Sequence, residues 1–378
     1  MIFNTTTLTH QQFLTDYWQK EPLLIRQAFP GFTPELDADD IAGLACDELA
    51  ESRLVTGSFP EHDWQLRYGP FEENDFSEFP DANWTLLVQD VEKHYPPLQE
   101  LMGNFSFLPR WRIDDLMVSV AGPGGSVGPH IDQYDVFLLQ AQGRRRWQIA
   151  ESFADKLLPD CELNVLQSFQ AEQDWVLEPG DLLYLPPGVA HHGVALDQCM
   201  TWSIGMRAPS AADFFQAFGE WLADKKDEGE RYRDPGLEVA TRSGEIDTLA
   251  IGQFHDFFRI RNIGGKDFSA FLGAFLSRYR LAHEPAPPAE AIDPPGLMKS
   301  LARGEKLKYN PWTRLLWIES KSGARLFAAG TEYSCTVDCA QTICDPGRLQ
   351  LLDHQLPESD LNLLCELLNR GHLYLEQL

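Results

Sequence analysis

The sequence lacks the features of membrane-spanning and secreted proteins. It contains no uninterrupted run of about 20 apolar residues, so we expect no segment to span a membrane. The opening residues, MIFNTTTLTHQQF, have neither the basic stretch nor the apolar stretch of a secretion signal. The seven cysteines are odd in number and scattered, which argues against a disulfide framework. These absences predict a cytoplasmic protein.

Basic residues are also scarce. The 378 residues include 31 Lys and Arg against 57 Asp and Glu, which gives a formal net charge of −26. A charge of this sign repels phosphate backbones and anionic lipid and attracts basic proteins or peptides. We therefore expect a basic protein or peptide as the partner, and neither nucleic acid nor a membrane.

Two familiar kinds of site are absent as well. The glycine-rich stretch AGPGGSVGPH (121–130) lacks the G-x4-G-K-[ST] pattern of a phosphate-binding loop and leads into a strand pattern, not into a helix. Cys335, Cys339 and Cys344 have no fourth ligand at the spacing that structural zinc sites use. We therefore expect neither a phosphate cradle nor a zinc site at these positions.

The pattern of apolar residues divides the chain into three parts. From 113 to 207, short β-rich runs separated by turns predict an all-β barrel or sandwich, and we place the end of this domain at 208. Residues 209–284 show apolar residues at helical spacing. The proline-rich stretch AHEPAPPAEAIDPPG (282–296) indicates a linker. The order helix, hairpin, helix, strand in 285–378 predicts a small winged-helix-like domain.

The helical region 209–284 contains an apolar stripe that includes Phe214, Phe215, Phe218 and Trp221. A stripe of this size is more than a small helical segment readily buries by itself. We expect it to form a homodimer interface, with packing onto the barrel as the alternative.

One motif has the composition of a metal site. Residues i and i+2 of a strand point to the same face, so His130 and Asp132 can reach a common point. An imidazole and a carboxylate are two thirds of the facial triad that holds Fe(II) and leaves positions open for O₂ and a cosubstrate. The stretch PGDLLYLPPGVAHHG has the spacing G-x5-P-x-G-x2-H, which favours His191 as the third ligand. The adjacent His192 must then face the opposite way.

The same alternation sorts the three consecutive arginines. We interpret Gly143 as a hairpin turn, after which Arg145 shares a face with Trp147 and Arg144 shares the other face with Arg146. The face with the tryptophan is the buried one, and a buried guanidinium requires a counter-ion. Arg145 is therefore the candidate anchor for the distal carboxylate of 2-oxoglutarate.

With these motifs in place, the sequence resembles the JmjC-type 2-oxoglutarate oxygenases, specifically the bacterial ribosomal oxygenases. The likeness covers most of the chain. It rests on FLTDYWQKEPLLIRQAFP, LLVQDVEKHYP, LMVSVAGPGGSVGPHIDQYDVFLLQAQGRRRWQI, LEPGDLLYLPPGVAHHGVA and SIGMRAP. The resemblance implies a mainly β, double-stranded β-helix (jelly-roll, cupin/JmjC) catalytic domain over 1–208. It also implies an α-helical dimerisation region over 209–284 and a winged-helix-like α+β domain over 285–378.

The resemblance further implies an activity. Iron would be bound by His130, Asp132 and His191, and 2-oxoglutarate would be contacted by Arg145 and Ser119. The enzyme would hydroxylate an arginine of a large-subunit ribosomal protein and convert 2-oxoglutarate and O₂ to succinate and CO₂. We assign no separate acid or base, because the metal centre supplies the chemistry.

Three alternatives remain open at the level of sequence. Hydroxylation of histidine, or demethylation of a methylated lysine or arginine, uses the same iron chemistry on a different carbon. A non-catalytic acidic adaptor could bind a basic ribosomal protein, but it would not need His130, Asp132, His191 and Arg145 together. A non-oxidative cupin such as an isomerase is disfavoured by Asp132, where those enzymes usually have a histidine.

Overall fold

The computed structural model describes residues 8–224, 248–256, 265–349 and 356–376. The chain divides into two compact units, Met1–Ala208 and Pro209–Leu378. The further division of the second unit at residue 285 stays a prediction. No helix in the described ranges is long and apolar enough to cross a membrane.

The first unit is built mainly from strands. In its described part these are β1 (Leu23–Ile25), β2 (Ser52–Thr56), β3 (Gln65–Tyr68), β4 (Trp84–Val88), β5 (Ile113–Ala121), β6 (His130–Ile131), β7 (Val136–Gln142), β8 (Arg145–Ala150), β9 (Gln173–Leu177), β10 (Leu182–Leu185), β11 (Ala190–Ala195) and β12 (Cys199–Met206). They form a large sheet of order β1-β10-β7-β12-β5-β4-β2-β3 and a small sheet of order β6-β11-β8-β9. All pairings are antiparallel.

The two faces of the large sheet bury different cores, because side chains alternate along each strand. One face, with Val118, Leu139 and Trp202, packs against the N-terminal helices. The opposite face, with Leu138 and Leu183, packs against Trp147 and other residues of the small sheet. Two facing sheets with consecutive strands crossing between them are a double-stranded β-helix, so the predicted fold class is confirmed.

The helices of the first unit are short. They are α1 (His10–Asp16), α2 (Ala38–Ala45), α3 (Val91–His94) and α4 (Gln99–Gly103). Helix α1 begins with a capping box: the Thr9 hydroxyl accepts from the Gln12 backbone N–H at 3.2 Å, and the Gln12 side chain accepts from the Thr9 N–H. This capping box satisfies two backbone donors that a helix start leaves free.

The interpretation of Gly143 as a hairpin turn is wrong. The turn exists, with φ of +62°, but the strands on either side of it do not pair with each other. Strand β7 pairs with β10 and β12, whereas β8 pairs with β11 and β9. A side chain at Gly143 would meet the Gln198 carbonyl oxygen at 2.3 Å, so only glycine allows this tight corner between the two sheets.

The second unit has helices in its first part and a mixed fold in its second. The helices are α5 (Ala211–Asp224), α6 (Thr248–Asp256), α7 (Gly265–Arg278), α8 (Pro294–Ala302), α9 (Val337–Cys344), α10 (Pro346–Leu349) and α11 (Glu358–Asn369). The strands are β13 (Lys306–Tyr309), β14 (Leu315–Ser320), β15 (Gly323–Ala328), β16 (Thr331–Cys335) and β17 (Leu373–Glu376). Strand β13 pairs with β17, and β14-β15-β16 form a second antiparallel sheet. The predicted helix, hairpin, helix, strand order is present, and the winged-helix prediction is confirmed.

The proline-rich linker ends earlier than its composition indicates. Pro294 and Pro295 form the first turn of α8, and the Asp293 side chain caps that turn by accepting from the Gly296 N–H at 2.8 Å. Proline is tolerated there because the first helical N–H groups have no partner inside the helix. The non-helical part of the linker therefore stops at residue 293.

The apolar stripe of α5 is divided between two environments. Phe214, Phe218 and Trp221 make ring contacts with Phe271 of α7, at centroid distances of 5.0–5.4 Å. Phe215 is 61% exposed. The predicted homodimer stays a prediction, because the packing against α7 accounts for only part of the stripe.

Candidate metal centre and cosubstrate pocket

His130, Asp132 and His191 lie together in the first unit. His130 begins β6, which pairs with β11 so that His130 is opposite His191, and Asp132 follows β6 directly. One donor atom from each of the three side chains lies within 4.8 Å of the others. In the described part of the chain this is the one group of three or more such side chains with metal-site spacing, and the three cysteines 335, 339 and 344 do not form another.

Hydrogen bonds prepare both histidine rings for a metal ion. The Nδ1 atom of His130 lies 2.9 Å from the Gly128 carbonyl oxygen, and Nδ1 of His191 lies 3.0 Å from the Val189 carbonyl oxygen. A carbonyl only accepts, so each Nδ1 carries the proton and each Nε2 presents its lone pair. Burial, with His130 nearby, lowers the pKa of His191 to about 4, so its ring is neutral at pH 7.

His192 takes no part in this group. It is buried on the other side of β11, where its ring makes edge contacts with Phe59 and Phe169 at 5.5 and 6.0 Å. Strand alternation therefore places the adjacent histidines as the sequence predicts.

Arg145 is buried in the same interior. Its side chain contacts the Ser119 hydroxyl through Nη1 and the Gly193 carbonyl through Nη2, both at 3.4 Å, and its Nε has no partner among the described residues. Among the described residues, no Asp or Glu forms an ion pair with Arg145. Burial lowers the pKa of its guanidinium. A buried guanidinium without a counter-ion fits an anionic ligand.

The neighbouring arginines lie on the outer face and have protein partners. Arg144 forms an ion pair with Asp197 at 2.9 Å, and Arg146 donates to Asp174 from Nε at 2.8 Å. Both side chains are about half exposed. Of the three arginines, only Arg145 points to the interior and is left for a ligand.

The inner face of β5 adds residues that sequence reasoning missed. Ser119 faces Arg145, so Met117 and Asp115 share that face at two-residue intervals. Asp115 lies beside Gly205, where an added side-chain carbon would be 2.8 Å from its Oδ1. Burial, with Asp114 and Glu92 nearby, raises the pKa of Asp115 to about 8. Counting back from Ser119 in steps of two would have found it.

Comparison with known proteins places this geometry in a family. Residues 100–214 match the JmjC domain, and residues 261–374 match a ROXA-like winged helix. The chain is 37% identical over 302 residues to the ribosomal protein uL16 3-hydroxylase of Escherichia coli, which covers 80% of each chain. The chain belongs to the JmjC ribosomal oxygenases.

Solved structures agree with this assignment. An X-ray structure of E. coli YcfD matches 98% of this ribosomal oxygenase and 99% of its own chain, with a TM-score of 0.86 and 33% identity. A second structure of YcfD, a ribosomal oxygenase from E. coli in complex with cobalt and 2-oxoglutarate, matches the same shares with a TM-score of 0.82 and 32% identity. The ribosomal oxygenase described here is therefore a 2-oxoglutarate-dependent dioxygenase, with iron as cofactor.

Proposed function

We propose that this enzyme hydroxylates an arginine of ribosomal protein uL16 at carbon 3, in the cytoplasm. The similarity to the uL16 3-hydroxylase carries this proposal, because it extends over both the catalytic and the C-terminal parts of the chain. The net charge of −26 favours a basic ribosomal protein over nucleic acid as the partner.

In this proposal His130, Asp132 and His191 hold the iron, and Arg145 and Ser119 bind the distal carboxylate of 2-oxoglutarate. The bound iron supplies O₂ activation coupled to the conversion of 2-oxoglutarate to succinate and CO₂, with one oxygen atom delivered to the substrate C–H bond. The carbonyls of Gly128 and Val189 keep the two imidazoles in one tautomer and orientation.

The surrounding apolar wall keeps water away from the reacting groups. Val136, Leu138, Leu183 and Trp147 are all buried between the two sheets. A dry interior strengthens the attraction between a guanidinium and a carboxylate. The same desolvation favours an anion at Arg145, and a dicarboxylate can place one carboxylate there while its other end reaches the metal ligands.

Asp115 favours an arginine substrate over a neutral side chain. Its raised pKa means that the site opposes an isolated negative charge, and a substrate guanidinium would supply the missing counter-charge. Asp115 and Ser119 are four residue steps apart on one face of β5, about 13 Å of extended strand. In this proposal, the cosubstrate binds Arg145 at the Ser119 end of this face, and the substrate guanidinium binds Asp115 at the other end.

The test compares peptides of the uL16 sequence that carry arginine, lysine or histidine at the target position. Wild-type enzyme with Fe(II) and 2-oxoglutarate should add 16 mass units, about one oxygen atom, to the arginine peptide alone. Asp115→Asn should raise the peptide KM, and Asp81→Asn, at an exposed acidic position, should not. Hydroxylation of the histidine peptide, or loss of methyl groups from a methylated peptide, would favour one of the other oxygenase activities.

We also propose a homodimer formed through residues 209–284. Leu249, Ile251 and Phe254 of α6 are each more than half exposed, as is Phe215 of α5. Several large apolar side chains exposed on surface helices are typical of an interface.

A further inference from the structure

Trp147 is adjacent to two groups that the proposed function requires, Arg145 and His191. Its ring centroid is 5.4 Å from the Arg145 guanidinium carbon and 5.9 Å from the His191 ring centroid. All three residues belong to the paired strands β8 and β11 of the small sheet. The indole is therefore close to both the cosubstrate anchor and a proposed metal ligand.

The strand opposite Trp147 is shaped to fit it. Gly193 is its register partner on β11. A side-chain carbon at Gly193 would lie 2.7 Å from two carbons of the indole ring and 2.9 Å from Arg145 Nε. Glycine at this position leaves room for the indole and the guanidinium beside β11, with the Gly193 carbonyl accepting from Arg145.

The polar atom of the indole is left without a partner. Trp147 is buried, and its Nε1 has no hydrogen-bond partner among the residues that the structure describes. A buried N–H without an acceptor is costly, and it favours a ligand that brings one. A cosubstrate with two carboxylates and a keto group brings several acceptors into this interior.

We propose that Trp147 is a binding residue for 2-oxoglutarate. Its ring face holds the Arg145 guanidinium in position, and its N–H donates a hydrogen bond to an oxygen of the bound cosubstrate. Gly193 is the complementary position that makes this placement sterically possible. The inference rests on the proposed function, and it adds a residue to the pair Arg145 and Ser119.

The experiment separates the ring face from the N–H. Trp147→Phe keeps an aromatic face and loses the donor, and Trp147→Leu loses both. Trp202→Phe is the matched control, because Trp202 is also buried with an unpartnered Nε1 but belongs to the core on the other face of the large sheet. Binding of 2-oxoglutarate is measured by calorimetry on Fe(II)-loaded protein without oxygen, together with kcat, KM and the iron content of each variant.

We expect Trp147→Phe to raise the Kd and KM for 2-oxoglutarate roughly ten-fold, because one hydrogen bond to a charged group is lost. The kcat and the iron content should stay within about two-fold of wild type. Trp147→Leu should raise the Kd roughly a hundred-fold, and Trp202→Phe should leave it unchanged. If wild type binds 2-oxoglutarate normally and Trp147→Phe has the same Kd, this inference is overturned, whereas the proposed function is not. Loss of iron with an unchanged Kd in Trp147→Leu would also overturn it. Wild-type protein that fails to bind 2-oxoglutarate would overturn the proposed function as well.

Discussion

Replacing Arg145 with lysine tests the cosubstrate pocket most directly. Arg145 is 3% exposed, and its guanidinium donates to the Ser119 hydroxyl and to the Gly193 carbonyl, both at 3.4 Å. In the proposed complex it holds a carboxylate with two parallel hydrogen bonds. An ammonium group in the same place cannot reproduce the second bond, because it lacks the planar pair of donors.

The expected effect follows from that single lost bond. A hydrogen bond to a charged group contributes about 1.5–3 kcal/mol, and each 1.4 kcal/mol is about a factor of ten in affinity. Arg145→Lys should therefore raise the KM for 2-oxoglutarate roughly ten- to a hundred-fold while iron content stays normal. The assay is the 2-oxoglutarate concentration dependence of turnover. Arg144→Lys and Arg146→Lys are the controls, because both side chains lie on the outer face, paired with carboxylates.

The free energy of unfolding provides a second test of the role of Arg145. Because Arg145 has no carboxylate partner among the described residues, its burial costs free energy in the protein without ligand. Arg145→Met should thus match or exceed the wild-type free energy of unfolding in the absence of 2-oxoglutarate, by up to about 4 kcal/mol, and should not be stabilised by adding it. A sensitive position at Arg144 or Arg146, or a strongly destabilised Arg145→Met, would refute the assignment.

Further predictions concern the metal, the acidic position and the oligomer. His130→Ala or Asp132→Ala should abolish Fe(II)-dependent decarboxylation of 2-oxoglutarate, and full turnover in either would disprove the triad. His191→Ala should lose iron by metal analysis while His192→Ala keeps it; the reverse would mean that the ligand is the other histidine. Because its pKa is raised to about 8 in the folded state, Asp115 costs stability progressively from pH 4 to pH 8, so Asp115→Asn should raise the Tm more at pH 8 than at pH 5. Light scattering should report a dimer, and a monomer at micromolar concentration would exclude it.

Local sequence patterns were sufficient for the side-chain directions in the site. The two-residue period of a strand predicted that Arg145 points inward between two outward arginines, and the structure has this arrangement. It also predicted opposite directions for His191 and His192. These are properties of one strand at a time, so they need no knowledge of which strands pair.

The same local patterns do not predict which strands pair with each other. A turn such as that at Gly143 has the same sequence signature whether the strands on either side pair with each other or enter different sheets. The outcome depends on partners far along the chain, since Arg145 on β8 is opposite Ala195 on β11. Asp115 is a different case: the two-residue period counted back from Ser119 predicts its face, but its position beside Gly205 depends on the pairing of β5 with β12.

The ionisable groups of the site indicate its function more fully in the folded structure than in the sequence, because their burial depends on the fold. Arg145 is buried and has no carboxylate partner among the described residues, whereas Asp115 is partly buried with Asp114 nearby, and desolvation shifts the pKa of each group toward its neutral form. In a protein selected for stability alone, such groups would be paired or replaced by apolar residues. A dicarboxylate at one and a guanidinium at the other would remove both costs. In our proposal these two groups bind the ligands, and their shifted pKa values arise from burial that only the tertiary structure determines.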